Sequence, residues 1–423
     1  MADSEQRLLG KLRRVLRAIG PGVTTGAADD DPSGITTYSI AGAQHGTAFL
    51  WAALFTWPLM GCVQMMCARI GMVTGMGLAG AFRQKFPRPL IAVFSLALLL
   101  ANTINIASDL AGMADAAELL GGGSSHVYVV LFGFGICIAM VRLRYHQIAR
   151  VLKWLALALF AYVLAAFVLK PHWGAVLRAT FIPTLPHGAQ MWSTLVAILG
   201  TTISPYLFYW QAGQEVEEEK AKGRRLLVHR QGATMRELAD RRIDVGLGTL
   251  FSNVAMFFII LTTALTLHRA GITEITTTRQ AAEALRPLAG DAAFLLFTMG
   301  VVGTGLLAIP TLAGSAAYAF AETFDWAYGL DQKLDEAGSF YAVFILATIG
   351  GIVLDFMDVD PIKALFWSAI VNGLLAPFLL IAVYLVATDR KVMLNQPSSA
   401  VSRVIVLITI VLMFLAGAGM FLF

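Results

Sequence analysis

The sequence predicts an all-α integral membrane protein of about 11 transmembrane helices, arranged as two inverted five-helix repeats and one extra C-terminal helix. Three observations lead there. Hydrophobic residues make up 57% of the 423 and charged ones only 14%, with a mean hydropathy of +0.71; a soluble chain carries about 25% charged residues. Apolar runs of roughly 20 residues recur along the whole length, the signature of spanning helices rather than a barrel. Two of those runs, five spans apart, are interrupted midway by turn-forming residues.

Taken in order, the spans fall at roughly 14–44, 47–71, 89–119, 126–141, 150–170, 191–216, 243–268, 291–321, 338–356, 361–387 and 402–423. The chain reads as a single transmembrane domain over 1–423. Its first repeat is expected at 14–170, its second at 191–387, and the extra helix at 402–423. The opening segment is no cleavable signal, because its apolar part runs straight into aspartates without a small-residue cleavage site. The fourth span is short and has room to extend toward Tyr145. The polar stretch "EVEEEKAKGRRLLVHRQGATMRELADRR" is expected to prolong the sixth helix and connect it to the seventh. Two other connections, around "PHWGAVLRATF" and "TTTRQAAEALRPLAG", are long enough for short surface helices.

Charge tests this order. With the N-terminus cytoplasmic and the C-terminus outside, the 31 Lys and Arg fall on the cytoplasmic side except Lys170, Arg178, Arg269, Arg279, Arg286 and Lys363. The net charge of +4 and pI near 9.0 are therefore a topology signal, and nucleic acid is not an expected partner. Cys62, Cys67 and Cys137 lie inside apolar runs and form neither a disulfide framework nor a zinc spacing. No Ser/His, Cys/His or paired histidine motif sits at membrane depth, which argues against an enzyme.

The two interruptions are "DDDPSG" (residues 29–34) and "TTISPYLF" (residues 201–208). Proline removes a backbone donor and clashes with the preceding turn, so each helix is expected to unwind there. Unwound backbone survives at membrane depth only where it lines a cavity or meets a ligand. Five spans separate the breaks, and an odd number of spans per half gives the halves opposite orientation. Paired broken helices in an inverted repeat point to the substrate site of a secondary transporter.

At these residues the sequence resembles the Nramp family of divalent-metal transporters, from "GPGVTTGAADDDPSGITTYSIAGAQHG" through to "KALFWSAIVNGLLAPFLLIAV". Where the family typically has Asp-Pro-Gly-Asn and Met-Pro-His, this chain has Asp31-Pro32-Ser33-Gly34 and Ser204-Pro205-Tyr206. These departures resemble those of the Nramp-related magnesium transporters, a bacterial branch. The resemblance implies an inverted-repeat fold of the amino-acid-transporter (LeuT) type, in a bacterial inner membrane. It also implies a divalent cation, Mg2+ or Mn2+, as cargo, with no resident cofactor. The lipid bilayer is the other expected partner; a monomer is consistent with the sequence, which leaves the oligomeric state open. Asp31 matches the family's ligating aspartate. Gly34 stands at the ligating asparagine, Ser204 at the methionine, and Thr201 at an alanine whose carbonyl faces the ion. In "NIASDLAG" Asp109 is kept, but Gly112 replaces a usual glutamate and Tyr206 replaces a histidine, which removes two proton-relay groups.

The chemistry of the changes is consistent. A thioether selects softer transition metals, whereas oxygen ligands with one or two carboxylates suit hard cations. Magnesium keeps several waters when bound, and Gly34 and Ser204 are smaller than the residues they replace. Further candidates are Asp30 and Ser33 beside Asp31, Tyr206, Asp109, and Asn372 in the tenth span, the last equally suited to bonding between helices. Asp29 and Asp30 are read as outer contacts or vestibule charge. The leading function is import of largely hydrated Mg2+, with Mn2+ admitted and no proton coupling. A proton-coupled Mn2+ or Fe2+ transporter is the alternative. An amino-acid transporter of the same fold fits less well, since three aspartates make a poor carboxylate site.

Overall fold

The computed structural model describes residues 20–142, 157–185, 188–330, 332–357 and 359–422, and its regular structure there is helical. The principal helices are α1 (Pro21–Asp29), α2 (Pro32–His45), α3 (Leu50–Thr74), α4 (Arg88–Gly121), α5 (Ser125–Arg142), α6 (Phe160–Val168) and α7 (Ala189–Thr202). They continue with α8 (Pro205–Ala221), α9 (Met235–Thr266), α10 (Ala293–Phe324), α11 (Gly338–Asp355), α12 (Pro361–Thr388) and α13 (Ala400–Leu422). Nine stretches among the described residues are long and apolar enough to cross a membrane. One of them, Pro32–Thr74, merges two expected spans, so the nine account for ten of the eleven. The remaining one, expected at 150–170, is described only from residue 157, where α6 occupies it. The start of the first span at 14–19, and any extension of the fourth beyond 142, lie outside the described residues. Short helices at Trp173–Phe181 and Thr278–Glu283 fill the two long connections, and α8 runs on through its acidic end as expected.

The core is apolar as in a water-soluble bundle, but here the surface of the spanning helices is apolar too. Val93, Leu96 and Leu100 on α4, and Val127, Leu131 and Phe134 on α5, are exposed at three- and four-residue spacing. Such a stripe is a lipid-facing surface. Asp29, Asp30, Asp31 and Asp109 are instead buried. Association inside a bilayer relies on close van der Waals approach through small residues. The helices use it where α1 meets α9: a Cβ placed on Gly26 would lie 2.3 Å from the Gly248 carbonyl carbon. The same device seats α7 on α12, where a Cβ on Gly200 would lie 2.0 Å from the Ala369 carbonyl oxygen.

Both proline interruptions are complete breaks rather than kinks. Asp30 (φ −83°, ψ 54°) and Asp31 (φ −69°, ψ 170°) separate α1 from α2. Ile203 (φ −119°, ψ 60°) and Ser204 (φ −79°, ψ 135°) separate α7 from α8. The two pairs follow the same backbone path, and each is followed by a proline at the first helical position. There proline's missing N–H costs nothing, since that donor has no partner within the helix anyway. Pro58, Pro310 and Pro377 lie inside continuous helices. Sequence position alone therefore does not make a break; the extended residue before the proline does.

The free end of α1 is pinned to α9. Asp244 accepts hydrogen bonds from the backbone N–H groups of Gly20 (2.8 Å), Gly22 (2.7 Å) and Val23 (3.1 Å). The carboxylate thus satisfies the unpaired donors at the helix start and lies at the positive end of the helix dipole. Arg241, one turn earlier on α9, pairs with Asp244 (2.6 Å), with Glu215 on α8 (2.8 Å) and with Glu218. Asp244→Asn keeps the shape of this cap and removes its charge. Backbone hydrogen exchange across 20–29 is expected to accelerate, reflecting a loss on the order of 1–3 kcal/mol at a buried, charge-assisted cap. Unchanged protection there, in an otherwise native protein, would show that Asp244 does not hold α1.

Candidate functional site

The two breaks face each other, and Asp31 stands between them. As the residue before α2 it adopts an extended conformation, which frees its side chain to turn back over the first helical turn. Its Oδ1 accepts the Gly34 N–H at 2.7 Å. Its Oδ2 accepts from the Asn105 Nδ2 on α4 at 3.1 Å and from the Tyr206 hydroxyl on α8 at 3.4 Å. The same hydroxyl contacts the last turn of α1 at the Ala28 carbonyl, 3.2 Å away. All of these donors are neutral. Among the described residues no Lys, Arg or His forms an ion pair with Asp29, Asp30, Asp31 or Asp109. A buried carboxylate surrounded only by neutral donors is a place where a cation is stabilised.

The second break supplies oxygens. The Ser204 hydroxyl donates back to the carbonyls of Gly200 (2.7 Å) and Thr201 (2.8 Å), the ends of α7 that have no intrahelical partner. A Cβ on Gly34 would lie 3.0 Å from Thr201 Oγ1 and 3.4 Å from Asp31 Oδ1. Gly34 therefore sits at the seam between the Asp31 carboxylate and Thr201, with the missing side chain directed at both. Asp31, Gly34, Thr201, Ser204 and Tyr206 are thus brought together from α2, α7 and α8. Asp109 joins this group from α4: it lies near Asp31 and the Ser33 backbone N–H. Neither of its oxygens completes a hydrogen bond.

Other expected residues are placed differently. Asp30 and Asp29 are turned toward α9, where the Ser252 hydroxyl lies 3.1 Å from Asp30 Oδ1 and 2.5 Å from Asp29 Oδ2. Both are fully buried, so neither lends charge to an open vestibule. Successive residues at a break point to different sides, which separates Asp30 from Asp31. Asn372 is buried in α12 with its Oδ1 unpartnered, and no described hydrogen bond links it to Asp31. At Gly112 a Cβ would lie 2.9 Å from the Leu365 side chain. The place of the missing glutamate is therefore occupied by an apolar neighbour from α12. Among the described residues no three His, Cys, Asp or Glu side chains converge as a metal-holding group. The groups in contact with Asp31 are hydroxyls, a backbone N–H and an amide, with the Asp109 carboxyl group nearby.

Asn105 is absent from the sequence-based set. Its signal was present in "NIASDLAG", where it precedes Asp109 by four residues and so shares its helix face.

Residues 22–422 match the model of the family described as natural resistance-associated macrophage protein-like, Nramp. The chain belongs to the Nramp family. A divalent metal cation transporter, MntH, of Yersinia pestis (strain Pestoides F) is 28% identical over 323 residues, covering 74% of each chain. Among solved structures, a manganese transporter of Eremococcus coleocola superposes with a TM-score of 0.71 at 17% identity, over 95% of this chain and 85% of that one. MhsT, solved in complex with L-phenylalanine, gives a TM-score of 0.57 at 15% identity, over 94% and 98% of the two chains. This likeness places the Nramp chain in the inverted-repeat fold of the amino-acid-transporter type. It is a multi-pass membrane transporter and not an enzyme.

Proposed function

We propose that this divalent-metal transporter of the Nramp type imports magnesium into a bacterial cell, admits manganese, and moves no protons with its cargo. The observation that carries the reading is the composition of the site: the Asp31 carboxylate, with that of Asp109 nearby, among hydroxyl, carbonyl and amide groups, and no sulfur at Ser204. The Yersinia and Eremococcus proteins support a divalent cation as cargo. The oxygen-only surroundings favour a hard one. Gly34 and Ser204 carry smaller side chains than the asparagine and methionine usual in the family, which supports an ion that keeps its waters, and magnesium gives these up reluctantly. In this reading Asp31 is the direct ligand, the Thr201 carbonyl and hydroxyl and the Ser204 hydroxyl face the hydrated ion, and Tyr206 steadies Asp31. The basic-residue bias supports an N-terminus in the cytoplasm and a C-terminus outside, across the inner membrane.

A second reading, a proton-coupled manganese or iron transporter, draws on Asp109: a buried carboxyl group with both oxygens free beside the site. Against it stand Leu365 packed over Gly112, and Tyr206 in place of a group that titrates near neutral pH.

Three measurements test the proposal. Asp31→Ala is expected to abolish magnesium uptake by purified, monodisperse protein in liposomes; near-normal uptake would sink the assignment. Imposed magnesium or manganese gradients are expected to leave the internal pH of those liposomes unchanged. Metal-dependent acidification, absent from empty controls, would favour the second reading. The double variant Gly34→Asn, Ser204→Met restores an amide and a thioether. It is expected to weaken magnesium uptake by about tenfold or more and to raise cadmium uptake, because a soft ligand replaces water space. An unchanged order of preference among magnesium, manganese and cadmium would mean that neither position faces the ion.

A further inference from the structure

Besides the neighbouring Ser33 side chain, three neutral groups hold the Asp31 carboxylate, and they are not equivalent. The Gly34 N–H is part of the helix cap, and the Tyr206 hydroxyl also reaches the Ala28 carbonyl. Asn105 is the third. It is wholly buried in the middle of α4, its Nδ2 spends one N–H on Asp31 Oδ2, and its Oδ1 has no partner among the described residues. The opposite amide orientation would set Oδ1 against the carboxylate oxygen, so the donor must face Asp31. The acceptor is then fixed at the same end of the side chain, next to the carboxylate. A buried acceptor left unpaired is costly, and it signals a donor that arrives from elsewhere.

We propose that Asn105 is a positioning and specificity residue: its amide N–H orients Asp31 while its Oδ1 accepts a hydrogen bond from water carried on the transported cation. This rests on the reading of Asp31 as the ligand. Water bound to a divalent cation is a polarised donor, so the acceptor is used by an ion that keeps its shell and wasted on one that sheds it. Asn105 thereby favours magnesium over manganese, where Asp31 alone rewards both charges equally. Groups that orient a metal's direct ligand commonly change affinity or activity 10- to 100-fold when removed. Asn102, one turn earlier on α4, provides an internal comparison. Its Nδ2 donates to the Leu312 carbonyl and the Ser315 hydroxyl on α10, both at 2.8 Å, and serves to join the two helices; its Oδ1 is also unpartnered among the described residues, so what sets Asn105 apart is its bond to the Asp31 carboxylate.

The test uses the full-length protein in liposomes, with the KM for magnesium and for manganese measured separately. Asn105→Leu is expected to raise the magnesium KM about tenfold or more and to lower the magnesium-to-manganese preference at least about fivefold. Asn105→Ser, a smaller change that keeps a polar group, is expected to shift the preference in the same direction and guards against misfolding of the leucine variant. Asn102→Leu, run alongside, is expected to slow both ions alike and leave the ratio within about twofold. If the Asn105 variants slow both ions equally, as Asn102→Leu does, Asn105 only packs α4 and the inference is overturned. Asp31→Ala separates the two levels. An inactive Asp31→Ala with an unchanged ratio in both Asn105 variants overturns this inference alone, whereas an active Asp31→Ala brings down the site and Asn105 with it.

Discussion

The structure is organised around backbone that must be broken inside a bilayer. Each unwound residue at that depth leaves N–H and C=O groups that water cannot satisfy, and each costs several kcal/mol, on the order of 2–7 if unpaired. The two breaks meet this demand in different ways. At the first, the Asp31 carboxylate accepts from Gly34 and caps α2. At the second, no side chain caps α8; the Ser204 hydroxyl turns back and donates to two α7 carbonyls. Carboxylate and carbonyl oxygens therefore accumulate where the breaks meet, and a cation is the species that such an arrangement stabilises. The negative ends of α1 and α7, both terminating here, act in the same sense.

Two buried acidic groups make the contrast concrete. Glu215, Glu218 and Asp244 gather around Arg241, and Asp244 is saturated further by three backbone donors. That group is complete, and its role is structural: it ties α1, α8 and α9 together. Around Asp31 the carboxyl groups of Asp29, Asp30 and Asp109 are equally buried, yet among the described residues no basic side chain pairs with them. Breaking a buried charge pair by removing one member is strongly unfavourable, so a set that lacks its positive member is not kept for stability. On the proposed function, the positive charge that this group lacks is supplied by the cargo.

Much of this was legible in the sequence. "DDDPSG" and "ISPY" announce both breaks, because proline disfavours helical backbone in the residue before it and here follows polar residues inside an apolar run, and their spacing points to the repeat. The lipid-facing stripes follow from simple periodicity. The partners of each aspartate did not follow. Helical periodicity stops at a break, so nothing in "DDD" says that Asp31 turns toward α4 and α8 while Asp29 and Asp30 turn toward Ser252 on α9. The Asp244 cap joins residues more than 220 positions apart. Asp244 lies at the start of the seventh expected span, just past the charge-rich connector, where nothing in the sequence marks it as a cap for α1. Asn105 left a local trace, an amide one turn before Asp109, but polar residues in membrane helices usually serve contacts between helices, as Asn102 does.

These contacts place the site on a joint. α1 has only nine residues, and it connects to α2 through the two unwound residues Asp30 and Asp31. Its far end is held by Asp244, and its flank by the glycine contact with Gly248. Helical hydrogen bonds stop at the unwound link, so any turning of α1 relative to α2 falls on that link. The link contains Asp31, whose side chain is fixed by groups on α4 and α8, so turning α1 disturbs the bonds that orient the carboxylate. The dependence also runs the other way. An ion drawn to Asp31 competes with the Asn105 and Tyr206 donors for the same oxygens, and weakening those bonds loosens the link from α4 and α8. With Asp31 as the proposed ligand, cargo binding and any movement of α1 would act on the same few hydrogen bonds, which is the differential contact that a two-state transporter requires.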